Sequence, residues 1–240
     1  MTAKELYQAG RLKEAVQAAG AEVRNNPIDT RARTFLFELL AFSGEFDRAD
    51  KHLEVLAQAG ADAQLGAVLY RAALAAERTR QELFAKGEYP RGKPDAATTA
   101  PAATINGRRY ESVEDADPRL GARIEVFAAG SYLWIPFEHI ATVRMEPPRR
   151  LRDLLWAPAL VATGPSFKGR ELGEVLLPVI APLSWKHSDD AVRLGRVTRW
   201  EEAGEGLTVP VGQKMLLADD EEIPWLEIRS LEFEAAAEAA

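Results

Sequence analysis

The stretch GRLKEA at residues 10–15 is followed 34 residues later by GEFDRA at residues 44–49. The same offset of 34 residues relates Leu6 to Leu40, so apolar and small residues recur at matching positions of two units. A 34-residue period is typical of tetratricopeptide repeats, in which small residues stand where paired helices approach closely. The match therefore predicts a helical-repeat module, although two ordinary helical hairpins would leave a similar pattern.

Hydrophobic periodicity predicts five helices in this first module. Pro27 interrupts the apolar pattern, and Asp29 is suited to cap the helix that follows. Gly44 is suited to the position just after a helix end, and Asp62 to the cap of a longer fifth helix. No further unit begins at residue 78, so we expect the fifth helix to cap the stack or to dock on a second module.

A change in composition divides the chain. Residues 87–104 are rich in Pro, Gly, Ala and Thr, as linkers are. After them, Ile124 and Val126 precede Gly130, and Tyr132 and Trp134 follow it, which predicts a β-hairpin. Short apolar runs separated by prolines predict a small-barrel-like or strongly bent sheet. We therefore expect an α+β protein with a TPR-like helical domain at 1–86, a linker at 87–104, a β-rich domain at 105–235 and a frayed acidic tail at 236–240.

The composition argues against several classes of function. The formal net charge is −7, and residues 91–240 hold 18 basic and 24 acidic side chains, which would repel a nucleic acid. There are no cysteines, so disulfides and thiolate chemistry are absent. No apolar run approaches the ~18 residues of a membrane span, and the N-terminus does not resemble a secretory signal. We expect a cytoplasmic protein with no membrane contact.

The motifs of metal and cofactor sites are missing. His52, His139 and His187 lie far apart, without metal-ligand spacing. The stretch GPSFKG at 164–169 suggests a phosphate-binding loop, but it lacks the following Lys-Ser/Thr pair. We therefore expect no cofactor and no metal, and we expect that the protein is not an enzyme.

Three carboxylates leave one catalytic alternative open. Asp115, Asp117 and Glu125 are close in sequence, and paired carboxylates can perform general acid–base chemistry when one has a raised pKa in a cleft. The alternative function is therefore a hydrolytic or small-molecule-binding domain. Asp117-Pro118-Arg119 also fits a turn in which the carboxylate accepts backbone N–H groups and pairs with the arginine, and this structural interpretation is favoured.

The five tryptophans all lie in the second module. A module of this size needs most of them for its core, and any that is exposed would be an anchor for a partner.

Several stretches of the chain resemble the ImpE/TagJ (SciE-type) accessory proteins of bacterial type VI secretion systems. The resemblance runs in order across nearly the whole chain, through GEFDRA at 44–49, DADPRLG at 115–121, YLWIPF at 132–137, LRDLLW at 151–156 and LGRVTRW at 194–200. Arg199 departs from the family pattern, where an acidic residue is expected. A partner contact at that position cannot be carried over to this chain.

The resemblance implies a cytoplasmic adaptor rather than a catalyst. Its partners would be the N-terminal helix of the small sheath subunit (TssB-like) and, directly or indirectly, the AAA+ ATPase (ClpV-like) that recycles contracted sheath. Helix-in-groove capture is the expected mechanism, either on the helical repeat or in a slot of the second module. A scaffold that dimerises through its repeat module is a further possibility. We favour the second module, and the predicted partner-binding residues are Trp134, Arg152, Trp156, Trp185, Arg196 and Trp200.

Overall fold

The computed structural model describes residues 1–88, 100–169, 171–204 and 206–234. Residues 89–99 of the predicted linker and the predicted tail at 236–240 lie outside these ranges. Within them, no helix combines the length and the apolar character needed to cross a bilayer. The chain folds as an N-terminal group of helices followed by antiparallel sheets, which confirms the predicted mixture of helix and sheet.

The first five helices pack in chain order, each against the next. Asp29 caps the third helix, accepting hydrogen bonds from the N–H groups of Arg31 and Ala32, and Gly87 ends the fifth with a left-handed backbone. A sixth, one-turn helix lies in the second module. The bounds are α1 Ala3–Gln8, α2 Leu12–Asn25, α3 Thr30–Phe42, α4 Phe46–Leu56, α5 Ala61–Lys86 and α6 Asp190–Arg193.

The 34-residue repeat recurs in the hydrogen bonds of the two interhelical turns. Gly10 and Gly44 have φ values of 75° and 72°, a region that glycine enters without steric cost. The N–H of Arg11 donates to the carbonyl of Leu6 at 2.9 Å. In the second unit, the N–H of Glu45 donates to the carbonyl of Leu40, also at 2.9 Å. Both turns are thus Schellman motifs, and each α-hairpin is closed in the same way.

Thirteen strands are described, and all of their pairings are antiparallel. Eight of them form one sheet in the order β2-β1-β13-β6-β7-β8-β4-β5, while β9 and β10 form a hairpin and β12-β11-β3 a small third sheet. The bounds are β1 Ala103–Ile105, β2 Arg108–Tyr110, β3 Val113–Asp115, β4 Arg123–Ala128, β5 Ser131–Pro136, β6 Ile140–Met145, β7 Trp156–Thr163, β8 Gly173–Pro178, β9 Thr198–Glu202, β10 Thr208–Gly212, β11 Met215–Ala218, β12 Glu221–Pro224 and β13 Ser230–Phe233.

The predicted small barrel is not found. Among the described strands, β2 and β5 are the two edges of the large sheet, and they do not pair with each other. The sheet therefore stays open, and α5 packs against it next to β5. The predicted hairpin around Gly130 is present as β4 and β5, and a short 3-10 segment lies at Leu151–Leu154.

The helices and the large sheet share one core. Phe127, Trp156 and Leu176 from the sheet pack into the same apolar cluster as the side chains of α1 to α5, and a second cluster lies among the sheets. Trp185 lies against the α3–α4 turn so closely that a Cβ on Gly44 would come within 2.4 Å of its ring. The helical and β-rich parts are therefore packed directly against each other.

Candidate partner-binding site

An apolar groove lies between helices α3 and α5, and we call it the α3–α5 groove. Its cavity volume is about 1130 Å³. Phe37 from α3, Leu53 and Leu56 from α4, and residues 61–63 and 65–70 of α5 line it, and the second module contributes Ala129, Arg150 and Arg152. Most of this lining is apolar, as in grooves that receive a helix or another ligand with an apolar face.

The first half of α5 leaves large apolar side chains in solvent. Leu65, Val68 and Leu69 are 73%, 62% and 49% exposed, and all three line the groove. Their i, i+3, i+4 spacing places them on one side of the helix. Ala67 and Tyr70, by contrast, are buried. A contiguous apolar patch of this kind marks an interaction surface rather than a solvated face.

The length of the groove follows from the helices that form it. Thr30 and Asp62 line its outer end, while Arg152 contacts Glu38 and Tyr70 at its inner end. On both α3 and α5 these ends are eight residues apart, which corresponds to about 12 Å at 1.5 Å per residue. The groove therefore accommodates roughly two turns of a helix.

Charge is concentrated at the inner end. The Nη1 atom of Arg152 lies 2.6 Å from the Oε1 atom of Glu38, and its guanidinium stands 4.6 Å from the ring centre of Tyr70. Burial raises the pKa of Glu38 despite the opposing charge of Arg152. Arg150 is exposed and forms no ion pair among the described residues. Buried Asp153, which accepts from the backbone N–H groups of Arg149 and Arg150 at 2.9 Å, adds a second carboxylate near Glu38. Two arginines and two carboxylates therefore meet at the inner end, and of these four only the arginines line the groove.

A buried charge network joins α5 to the sheets. The guanidinium of Arg80 donates to both carboxylate oxygens of Glu125, at 2.7 and 3.0 Å, and to Glu77 at 3.1 Å. The Nζ atom of Lys214 lies 2.6 Å from Glu125 and 2.7 Å from Asp115. All five side chains are buried. The sequence reasoning missed Arg80 and Lys214 because both are remote in sequence from the carboxylates that they pair with.

The ionisation of this network is set by burial and by its cations. Burial raises the pKa of Asp115 to about 7, although Lys214 opposes the shift. Burial also acts to raise the pKa of Glu125, but Arg80 and Lys214 outweigh it and hold the value at about 2. The two cations have raised pKa values, because the nearby carboxylates outweigh their burial. Glu125 is therefore the permanent anion of the network, and Asp115 is the group that titrates near neutral pH.

The three carboxylates of the catalytic alternative serve structural contacts. Asp117 accepts from the backbone N–H of Arg119 at 3.0 Å and from its guanidinium at 2.6 Å, as the turn interpretation predicts. Asp115 accepts from the N–H of Asp117 at 3.0 Å. Neither the α3–α5 groove nor a second cavity of about 30 Å³ beside Arg80 is lined by Asp115, Asp117 or Glu125. Their geometry gives the hydrolytic alternative no support.

The predicted aromatic anchors are spread over the molecule. Trp156 is 1% exposed and donates to Glu77 at 2.9 Å, so it belongs to the core and has no surface to offer a partner. Trp134 is half-buried and donates to the hydroxyl of Tyr132. Trp185 is half-buried against Gly44 and donates to Gln81 at 3.2 Å. Trp200 on β9 is 43% exposed, and it alone of these four is freely accessible.

The two predicted arginines are also separated. Arg152 lines the α3–α5 groove, whereas Arg196 donates to the carbonyls of Tyr7 and Gln8 at the end of α1. Arg199, the position that departs from the family pattern, pairs with Asp189 at 2.7 Å. The structure thus brings only Arg152, of the six predicted residues, to the groove. Leu65, Val68 and Leu69 belong to the apolar periodicity of the fifth helix, but spacing alone does not show whether their own chain covers them.

The histidines have local partners. His139 contacts the hydroxyl of Ser166 at 2.9 Å, His187 contacts Glu201 at 2.9 Å, and His52 contacts Arg33 at 3.2 Å. Burial lowers the pKa of His52, and Arg33 adds to the shift. Across the described ranges, no group of three or more histidines and carboxylates is placed to hold a metal ion.

The comparisons with known proteins agree with this architecture. The model of the family described as ImpE protein matches residues 107–232, and the chain belongs to that family. The type VI secretion system accessory component TagJ of Pseudomonas aeruginosa is 33% identical, over 98% of this chain and 92% of the relative.

A solved structure supports the fold itself. The crystal structure of protein VPA1032 from Vibrio parahaemolyticus superimposes with a TM-score of 0.84, at 22% identity, over 97% of both chains. At this identity, the similarity shows the arrangement of helices and sheets alone.

Proposed function

We propose that this protein is a cytoplasmic, non-enzymatic accessory component of a type VI secretion system, and that it binds one helix of a partner protein in the α3–α5 groove. Membership of the ImpE family and the similarity to TagJ support the accessory role. The observation that carries the helix-binding part is the exposure of Leu65, Val68 and Leu69 along the groove. In this proposal, α1 to α4 act as two tetratricopeptide-like units that present α5.

The proposed occupant is the N-terminal helix of the small sheath subunit (TssB-like). An amphipathic helix of two turns or more would lay its apolar face on α5 and leave its polar face in solvent. Linking the sheath in this way to its AAA+ recycling ATPase (ClpV-like) is the second part of the proposal. That part is supported by family membership, and no surface of this chain is assigned to the ATPase.

The size of the groove fits weak, reversible binding. Complete burial of a Leu or Val side chain contributes about 1.5–3 kcal/mol. Association costs roughly 4–15 kcal/mol in lost freedom of motion. Three such anchors contribute about 4.5–9 kcal/mol, which is of the same size as that cost, so we expect weak binding, with a Kd in the micromolar range or above.

The test is a titration of the full chain into a fluorescently labelled synthetic peptide of the sheath subunit's N-terminal helix, followed by fluorescence anisotropy. We expect saturable binding with a Kd below about 100 μM. The double variant Leu65→Gln, Val68→Gln should weaken it at least about ten-fold, since two apolar anchors are lost. Absence of binding by the wild-type chain at that concentration would overturn the proposal.

A control variant tests the location. Trp200→Ala removes the accessible tryptophan of β9, which does not line the groove. We expect its Kd to equal that of the wild type. If Trp200→Ala abolishes binding while the Leu65/Val68 variant binds normally, the partner site lies in the second module and the groove assignment is wrong.

A further inference from the structure

The two ends of the α3–α5 groove differ in charge. Asp62, Arg150 and Arg152 are the charged residues that line it in the described part of the chain. Asp62 lies in the first turn of α5, at the outer end. The two arginines line the inner end, whereas the nearby carboxylates of Glu38 and Asp153 do not line the groove. The groove surface therefore presents a carboxylate at its outer rim and guanidinium groups at its inner rim.

A bound helix also has two electrically different ends. Its first N–H groups and last carbonyls lack partners within the helix, which gives the N-terminus a partial positive charge and the C-terminus a partial negative one. Each end is stabilised by a side chain of opposite charge. A helix that fills the groove therefore has one favoured direction.

We infer that the partner helix lies in the groove with its C-terminal carbonyls against Arg150 and Arg152 and its N-terminal turn beside Asp62. This inference rests on the proposed function, because it needs a helix in the groove, and it adds the direction of that helix. It also names the recognition chemistry, which is donation from a guanidinium to backbone carbonyls.

Arg150 is the specificity-determining residue of this arrangement. The guanidinium of Arg152 already serves Glu38 and the face of Tyr70, so it mainly adds positive potential. Arg150 is exposed, and although its backbone N–H donates to Asp153, its guanidinium forms no ion pair in the described ranges. A guanidinium presents five N–H donors in a planar fork, which suits two neighbouring carbonyls at a helix end.

Direction is tested first, by disulfide trapping in a chain that has no cysteine of its own. Ala61→Cys introduces a thiol at the outer end, and Ala129→Cys introduces one at the inner end, next to Gly130, which lies against Ala72 of α5. Each variant is incubated with the sheath-helix peptide carrying a single cysteine at its N- or its C-terminus. We expect Ala61→Cys to trap the N-terminal thiol and Ala129→Cys the C-terminal thiol. Trapping in the opposite combination, or equally in both, overturns the inference.

Recognition by Arg150 is tested by charge reversal. Arg150→Glu should weaken peptide binding by roughly three- to ten-fold, because an attraction at the helix end becomes a repulsion. Arg149→Glu makes the same change in net charge one residue away, outside the groove, and should leave the Kd unchanged. An equal loss in both variants would show only a general effect of charge and would overturn the role of Arg150.

A second peptide separates the carbonyls from acidic side chains as the recognised group. All Glu and Asp residues of the peptide are changed to Gln and Asn. Retained sensitivity to Arg150→Glu supports recognition of the carbonyls, whereas loss of that sensitivity overturns it in favour of an acidic side chain. The titration of the wild-type chain with the peptide is interpreted before those of the variants. Failure of the wild type to bind therefore counts against the proposed function, whereas normal binding with the wrong direction counts only against this inference.

Discussion

Helix α5 has two halves of opposite character. In residues 61–69, leucine and valine side chains stand in solvent, with Leu65 73% exposed. In residues 70–86, two charged side chains, Glu77 and Arg80, are buried, with Arg80 only 1% exposed. Each half thus contains an exception to the usual rule that apolar groups lie inside and charges outside. The cause differs: the buried charges find their partners within the chain, whereas the exposed apolar groups lack them there.

The buried charges of α5 stabilise the fold, whereas its exposed apolar side chains are available to a partner. The buried charge network around Arg80 connects α5, β4 and the residue before β11. In it, each carboxylate oxygen of Glu125 accepts from a cationic donor. Among the described residues, the α3–α5 groove has the contacts of Arg152 with Glu38 and Tyr70 at its inner end, and no comparable network around Leu65, Val68 and Leu69. If the comparison is right, changes in the second half of α5 alter stability, and changes in the first half alter only binding.

The largest expected effect is that of Arg80→Ala. Removal of the guanidinium leaves Glu125 and Glu77 buried with one cation fewer, and breaking a buried ion pair from one side costs about 3–5 kcal/mol. We expect the free energy of unfolding to fall by that amount, measured by urea denaturation with tryptophan fluorescence. Arg78→Ala is the matched control on the same helix, because Arg78 pairs at the surface with Asp47, which is 91% exposed. Its cost should stay below about 1 kcal/mol; similar losses in the two variants would remove the distinction.

The helical module can be predicted from the sequence better than the buried charge network can. The repeat of Gly10 at Gly44 is local, because each glycine serves a turn within its own hairpin. Arg80 and Glu125 are 45 positions apart, and only the tertiary fold brings them together. Periodicity likewise identifies the apolar stripe that includes Leu65. It cannot tell whether that stripe is covered by the same chain or by another one, because both give the same spacing.

The pH dependence of stability provides the second test. A carboxyl whose pKa rises on folding keeps its proton in the native state after the unfolded chain has lost it. Asp115, with a pKa raised from 3.8 to about 7, therefore lowers stability as the pH rises through that interval. One such group changes the free energy of unfolding by at most about 1.4 kcal/mol per pH unit. We expect the wild type to lose stability relative to Asp115→Asn between pH 5 and 7, and the difference to level off above that range.

The comparison with Asp115→Asn also removes the opposing contribution of His52. The lowered pKa of His52 makes stability rise with pH below about 6.5, and this rise is the same in the wild type and in Asp115→Asn. Urea denaturation at several pH values measures the difference. If the free energies of unfolding of the two proteins change with pH in parallel, Asp115 is already ionised in the folded state at pH 5. The buried network would then contain three anions.

The smallest expected effect belongs to the groove. Leu65→Gln and Val68→Gln change side chains that are 73% and 62% exposed, and glutamine is a good helix former. Together they should alter the free energy of unfolding by no more than about 0.5 kcal/mol, as surface substitutions usually do. The same pair of changes is expected to weaken peptide binding. Leu74→Ala, at a buried position further along α5, should instead cost about 2–5 kcal/mol.

The contrast between Leu65 and Leu74 is informative because both are leucines of one helix. A loss of stability for the Leu65/Val68 variant that approaches that of Leu74→Ala would mean that the groove residues are already covered by their own chain. The exposed half of α5 would then be a second core and not a partner surface. An unchanged stability combined with a weakened Kd has one physical explanation, which is that the apolar surface of the groove is buried only when the partner helix arrives.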